Sequence, residues 1–164
     1  MREATPWIIA GLVAVLVLAL ASAPASETIR SAPDFSLTAL SGDIVTLSAQ
    51  HGNVVILDFW ASWCQPCTRT LPGLHALAAQ LSDRGVVLLA VSLDRTEAAA
   101  RAYAASQDLA LGNVLYGSLD EARAVKDLYG VVGIPRTFVI DRDGWVRFSG
   151  TPSGVTEELI GAWL

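Results

Sequence analysis

Seven consecutive residues, Val54-Val55-Ile56-Leu57-Asp58-Phe59-Trp60, form an apolar run broken by a single carboxylate. A run of this length, rich in β-branched and aromatic residues, reads as a strand buried on both faces. Residues 86–92 form a second run of the same kind. Strands of this type belong to parallel pairs covered by helices on both sides, so the chain is expected to build an α/β domain.

The first run leads directly into Trp63-Cys64-Gln65-Pro66-Cys67, and Cys64 and Cys67 are the two cysteines of the chain. Residues 68–81 read as a helix, which places the C-x-x-C at a strand-to-helix junction, the setting of thiol–disulfide chemistry. Unpaired N–H groups and the dipole at a helix N-terminus favour an anion. Cys64 is therefore expected to carry a raised thiolate fraction and to act as nucleophile. Cys67, one turn further on, is placed to resolve a mixed disulfide. A structural zinc site needs four ligands, and only His51 and His75 remain, at no recognisable spacing. A purely structural disulfide would close a very short loop and remove little entropy from the unfolded chain.

The other elements follow from pattern. Residues 35–40 and 44–47 alternate around Ser41-Gly42-Asp43, a β-hairpin signal. Pro72 is expected to kink the helix after the cysteines, and Arg84-Gly85 to end it. Residues 96–106 read as an alanine-rich helix and 114–116 as a short strand. Ser118-Leu119-Asp120-Glu121 is a capping box opening a helix to Tyr129. Residues 137–140 and 146–148 read as strands joined through Asp141-Arg142-Asp143-Gly144, and 156–164 as a final short helix.

The N-terminus reads as a targeting element. Met1-Arg2 gives a small positive start, residues 7–20 are apolar, and Ala21-Ser22-Ala23 and Ala23-Pro24-Ala25 are small-residue cleavage sites. The apolar stretch is also near the lower limit for a membrane span. Residues 1–25 are thus expected to be a cleaved signal peptide or an N-terminal anchor, 26–32 a linker, and 33–164 the folded domain. Either alternative puts the domain outside the cytoplasm, where disulfides persist. The net charge of −5, with no basic block, argues against a nucleic-acid partner.

Asp58-Phe59-Trp60-Ala61-Ser62-Trp63-Cys64-Gln65-Pro66-Cys67 resembles the active-site strand and turn of thioredoxins. Ala32-Pro33-Asp34-Phe35 with its hairpin, the stretch from Tyr129 through Gly133-Ile134-Pro135 to Asp141, and the insertion over residues 96–117 resemble the TlpA/ResA-like branch. The resemblance covers residues 32–164. It implies a thioredoxin-like fold: a central mixed sheet flanked by helices, with an N-terminal β-hairpin and a central α/β insertion. It also implies a membrane-anchored or secreted thiol–disulfide oxidoreductase, with cytochrome c maturation as a common setting.

The resemblance implies roles residue by residue. Pro135 matches the cis-proline beside the disulfide, and the backbone of Ile134 is expected to pair with the client chain. Trp63, Gln65 and Pro66 are expected to meet the client around the cysteines. Asp58 matches the buried acid of thioredoxins; burial should raise its pKa, fitting it to take the Cys67 proton. One position departs from the pattern. Many relatives carry glutamate three residues after the second cysteine, and this chain has Thr70 there.

The expected activity is reduction of disulfides in cysteine-containing protein partners. Gln65-Pro66 carries no charge to stabilise the thiolate further, which favours a reductant. No cofactor beyond the Cys64–Cys67 disulfide is expected. The chain has no G-x-G-x-x-G, so electrons are expected from a membrane thiol donor. Two alternatives stand beside this: a peroxiredoxin-like peroxidase, and a non-enzymatic factor that binds thiol-bearing clients for assembly.

Overall fold

The strand β3 (Val54–Trp60) is the centre of the molecule, with all seven of its residues buried. It runs parallel to β4 (Val86–Ser92) on one side and antiparallel to β6 (Arg136–Ile140) on the other. Adding β5 (Val114–Leu115) and β7 (Val146–Gly150) gives a five-stranded mixed sheet in the order β5-β4-β3-β6-β7. The structure is a computed structural model and describes residues 30–164. The expected signal or anchor, residues 1–25, lies outside the described residues, as does the expected linker up to residue 29. Among the described residues, no helix is long and apolar enough to cross a membrane.

The expected hairpin forms as β1 (Ser36–Thr38) and β2 (Ile44–Thr46), shorter than the sequence pattern suggested. Its turn places Gly42 at φ 97°, a region L side chains rarely adopt. Beyond β1 the chain docks on the edge strand β5. Leu40 N–H donates to Val114 O at 2.8 Å, and Tyr116 N–H donates to Thr38 O at 2.9 Å. The hairpin thus covers what would otherwise be an open sheet edge. Further upstream, Val146 N–H donates to Arg30 O and Ala32 N–H to Gly144 O, tying the start of the described chain to the β6–β7 turn.

Among the described residues, four helices complete the fold: α1 (Gln65–Gln80), α2 (Glu97–Ser106), α3 (Leu119–Leu128) and α4 (Glu157–Gly161). Each is capped by a side chain that accepts the N–H three residues on: Cys64, Thr96, Ser118 and Thr156. Such caps satisfy one of the donors every helix start leaves unpaired. The residues of the expected insertion form α2, a short 3-10 turn at Leu111–Asn113 and β5.

Alternation along β3 sends its side chains to two faces. Phe59 joins Phe138, Tyr129 and Phe35 in one aromatic cluster, with centroids 5.1 to 6.1 Å apart. Tyr129 closes α3 there and donates its hydroxyl to Pro33 O at 2.8 Å. On the opposite face Trp60 packs against Tyr103 of α2, centroids 5.1 Å apart. Tyr103 also reaches α1, donating its hydroxyl to Thr68 O at 2.7 Å. Thr68 is four residues before Pro72, whose missing N–H would have bonded this carbonyl. The expected disturbance at Pro72 is thus met by a phenol from the neighbouring helix, and α1 continues through Pro72 as one helix.

Candidate active site

Cys64 and Cys67 are joined in a disulfide at the start of α1. Cys64 is the N-cap in extended conformation, and Gln65 and Pro66 occupy the first helical turn. Proline is tolerated there because the first N–H groups of a helix have no intrahelical partner. Cys67 N–H donates to Cys64 Sγ at 3.3 Å. In the reduced protein the same donor and the helix terminus favour a thiolate on Cys64. The two sulfurs differ in access: Cys64 is 6% exposed and Cys67 is 0% exposed.

Asp58 is fully buried near the end of β3 that leads to the disulfide, on the face that also carries Trp60. Its partner across the β3–β6 ladder is Thr137, whose Oγ1 donates to Asp58 Oδ1 at 2.6 Å. Oδ2 is buried with no hydrogen-bond partner among the described residues. Removal from water pushes the Asp58 pKa up to about 7, with the Thr137 hydrogen bond opposing part of that rise. A carboxyl group tuned to this range exchanges a proton readily near neutral pH.

The other sequence-derived residues fall around this pair. The Ile134–Pro135 peptide bond is cis, the geometry expected from the resemblance. Trp63 is two-thirds exposed, at 66%. It shares an open groove of about 610 Å³ with Ile134 and Gly133. Gln65 and Pro66 are both exposed. Thr70 turns its hydroxyl back on its own helix, donating to Pro66 O at 3.1 Å and Cys67 O at 3.2 Å. Trp60 is buried and packs against Tyr103. His75 is structural, its Nε2 accepting Ala110 N–H at 3.1 Å.

One part of the site was invisible in the sequence. Asp94, two residues past β4, is completely buried. Its carboxylate accepts Ser62 N–H at 3.1 Å to both oxygens, Ser62 Oγ at 2.7 Å and Ser92 Oγ at 2.8 Å. Ser62 lies in the turn that carries Cys64, so Asp94 clamps that turn to the end of β4. The available signal was an acid directly after a buried parallel strand, the end where open α/β sheets gather functional groups. A second clamp is Tyr103, which fixes α1 through Thr68.

A mixed sheet with a C-x-x-C disulfide at the N-terminus of its first long helix and a cis-proline preceding β6 defines a thioredoxin-fold protein. The family model described as AhpC/TSA family matches residues 29–149, and the chain belongs to that family. The thiol–disulfide oxidoreductase ResA of Geobacillus kaustophilus is 35% identical over 129 residues, covering 79% of this chain and 72% of that protein. ResA of Bacillus thuringiensis subsp. konkukian is 32% identical over 117 residues, covering 71% of this chain. The chain spans 65% of the length of that relative. Among solved structures, a thiol:disulfide interchange protein DsbE from Chlorobium tepidum superposes with a TM-score of 0.74 at 33% identity, covering 84% of this chain and 98% of the other.

Proposed function

We propose that this protein is an extracytoplasmic thiol–disulfide oxidoreductase that reduces disulfides in protein clients. The observation that carries this is the Cys64–Cys67 disulfide set on the N-terminus of α1, with only Cys64 reachable from outside. The names of the relatives support the same activity.

The reaction starts from the reduced protein. The Cys64 thiolate attacks one sulfur of a client disulfide, forming a mixed disulfide and releasing a client thiolate that takes up a proton. Cys67 then loses its proton to Asp58 and attacks Cys64 Sγ. The Cys64–Cys67 disulfide forms and the second client thiolate leaves. Two electrons pass to the client, and the protein ends in the oxidised state that the structure holds. Asp58 suits the proton step because its pKa of about 7 lets it be charged when it accepts and neutral afterwards. Trp63, Gln65, Pro66 and the Ile134–Pro135 segment receive the client chain.

A reductase must be reset. A membrane-embedded thiol donor would return two electrons to the disulfide, in keeping with an apolar N-terminus that holds the domain at, or sends it across, a membrane. Client disulfides on that side of the membrane, those of apocytochrome c among them, form the substrate class that the family resemblance implies.

Equilibration of the full chain with thiol–disulfide buffers tests the direction. A potential near that of thioredoxin, about −270 mV, is expected. A value near that of a strong oxidant, about −120 mV, would make the protein an oxidase instead. Absence of a reversible dithiol–disulfide couple would end the redox assignment.

A further inference from the structure

The groove beside the disulfide is lined by apolar residues and by charged ones. Trp63, 66% exposed, and Val132, fully exposed, supply apolar surface at its edges, together with Leu93 and the partly buried Ile134. Large apolar side chains left exposed together at a concave site mark a place where something docks. One wall of the groove is α3, which contributes Arg123, Lys126 and Asp127. Arg123 and Lys126 are three residues apart and so lie on one helix face.

The charge of that wall runs against the rest of the molecule. The chain carries a net −5, yet the groove presents two cations and one carboxylate. Lys126 Nζ meets Asp127 Oδ1 at 3.2 Å, with Asp127 75% exposed, a loose surface pair. Arg123 has no ion-pair partner among the described residues. The other acids of α3, Asp120 and Glu121, do not line the groove, and Glu121 accepts from the Ser118 hydroxyl at 2.8 Å. The groove therefore keeps one uncompensated positive charge against an apolar lining.

We propose that this groove selects clients that carry an aspartate or glutamate a few residues from the disulfide-bonded cysteine. This rests on the oxidoreductase reading and names its substrate class. A client whose cysteine is bonded to Cys64 has its neighbouring residues beside Trp63, the residue before Cys64, and beside Ile134. An apolar client side chain covers Trp63 and Val132 there, and a client carboxylate meets Arg123 and Lys126. Charges at such a partly exposed rim act mainly on encounter and depend on salt.

The test compares two disulfide-bridged peptides, identical except for glutamate or lysine flanking one cysteine, as substrates of the full-length reduced chain. The wild type is expected to favour the glutamate peptide roughly three- to tenfold in kcat/KM at low salt. High salt should reduce that ratio towards one, and Arg123→Glu with Lys126→Glu should invert it. Reading the ratio between peptides cancels any general loss of activity in the variant. Should the double variant not fold, Arg123→Gln and the salt series carry the same comparison. Equal kcat/KM for the two peptides, or a preference that the substitutions leave unchanged, overturns the proposal. So does finding by sedimentation that a second copy of the chain occupies the groove. Neutral bis(2-hydroxyethyl) disulfide separates the two levels. If wild type reduces it while the peptides are not distinguished, only the groove assignment fails. If it is not reduced at all, the oxidoreductase reading fails and takes this proposal with it.

Discussion

Thr137 Oγ1 donates to Asp58 Oδ1 at 2.6 Å, and among the described residues this is the only hydrogen bond the buried carboxyl receives. The pairing is a product of register: Thr137 stands directly across the β3–β6 ladder from Asp58. One hydrogen bond offsets only part of the cost of taking a carboxylate out of water, and the pKa of Asp58 rises to about 7.

That rise fixes how stability depends on pH. Between the unfolded value of 3.8 and the folded value of about 7, the folded protein holds a proton that the unfolded chain has released. Stability therefore falls as pH increases through this window, and the loss is complete above the folded value. The shift corresponds to on the order of 4 kcal/mol. Asp58→Asn cannot ionise and escapes this loss. Urea unfolding of the oxidised proteins at pH 4 and pH 8 should show the variant gaining a few kcal/mol on wild type between the two. A difference that stays constant with pH would contradict the assignment.

The same substitution should slow the second chemical step. Without an acceptor for the Cys67 proton, breakdown of the mixed disulfide is expected to drop by roughly 10²-fold, within the usual range for general-base catalysis. Its pH dependence should also lose the inflection near 7 expected of wild type. Stopped-flow measurement of client release gives both quantities.

Tyr103 should matter for stability through Pro72. Tyr103→Phe strips the Thr68 carbonyl of its donor and is expected to cost about 1–2 kcal/mol. In a Pro72→Ala background the alanine N–H can bond Thr68 O itself, and the same Tyr103→Phe change should then cost much less. Denaturation of the four proteins measures this coupling, and additive costs would show that the phenol does not substitute for the missing N–H.

Asp94→Ala removes the acceptor for Ser62 N–H, Ser62 Oγ and Ser92 Oγ together. Orphaned buried donors make the expected destabilisation about 2–4 kcal/mol. Because Ser62 belongs to the turn bearing Cys64, disulfide exchange should slow as well. Asp94→Asn, which keeps one acceptor oxygen, should fall between alanine and wild type in both measurements.

Much of this molecule was legible because its signals are local. The apolar runs gave β3 and β4 with their observed bounds. The turn residues gave both hairpins, and the capping box gave the start of α3. The C-x-x-C placed the disulfide at a helix N-terminus from spacing alone. Three features were not legible, since each joins residues far apart in the chain. Asp94 meets Ser62 across 32 positions, Tyr103 meets Thr68 across 35, and Thr137 meets Asp58 across 79. All three depend on which strands and helices become neighbours, which periodicity does not encode.

The central claim is that Cys64 attacks the client and Cys67 resolves, and covalent trapping tests it most directly. Reduced full-length Cys67→Ser should accumulate a mixed disulfide with a disulfide-bearing client, joined through Cys64 and released by dithiothreitol. Reduced Cys64→Ser should accumulate none, because Cys67 is completely buried. Trapping through Cys67 in the second variant would reverse the roles. Clients held without any covalent bond in the first variant would contradict the oxidoreductase account and favour a non-enzymatic binding factor.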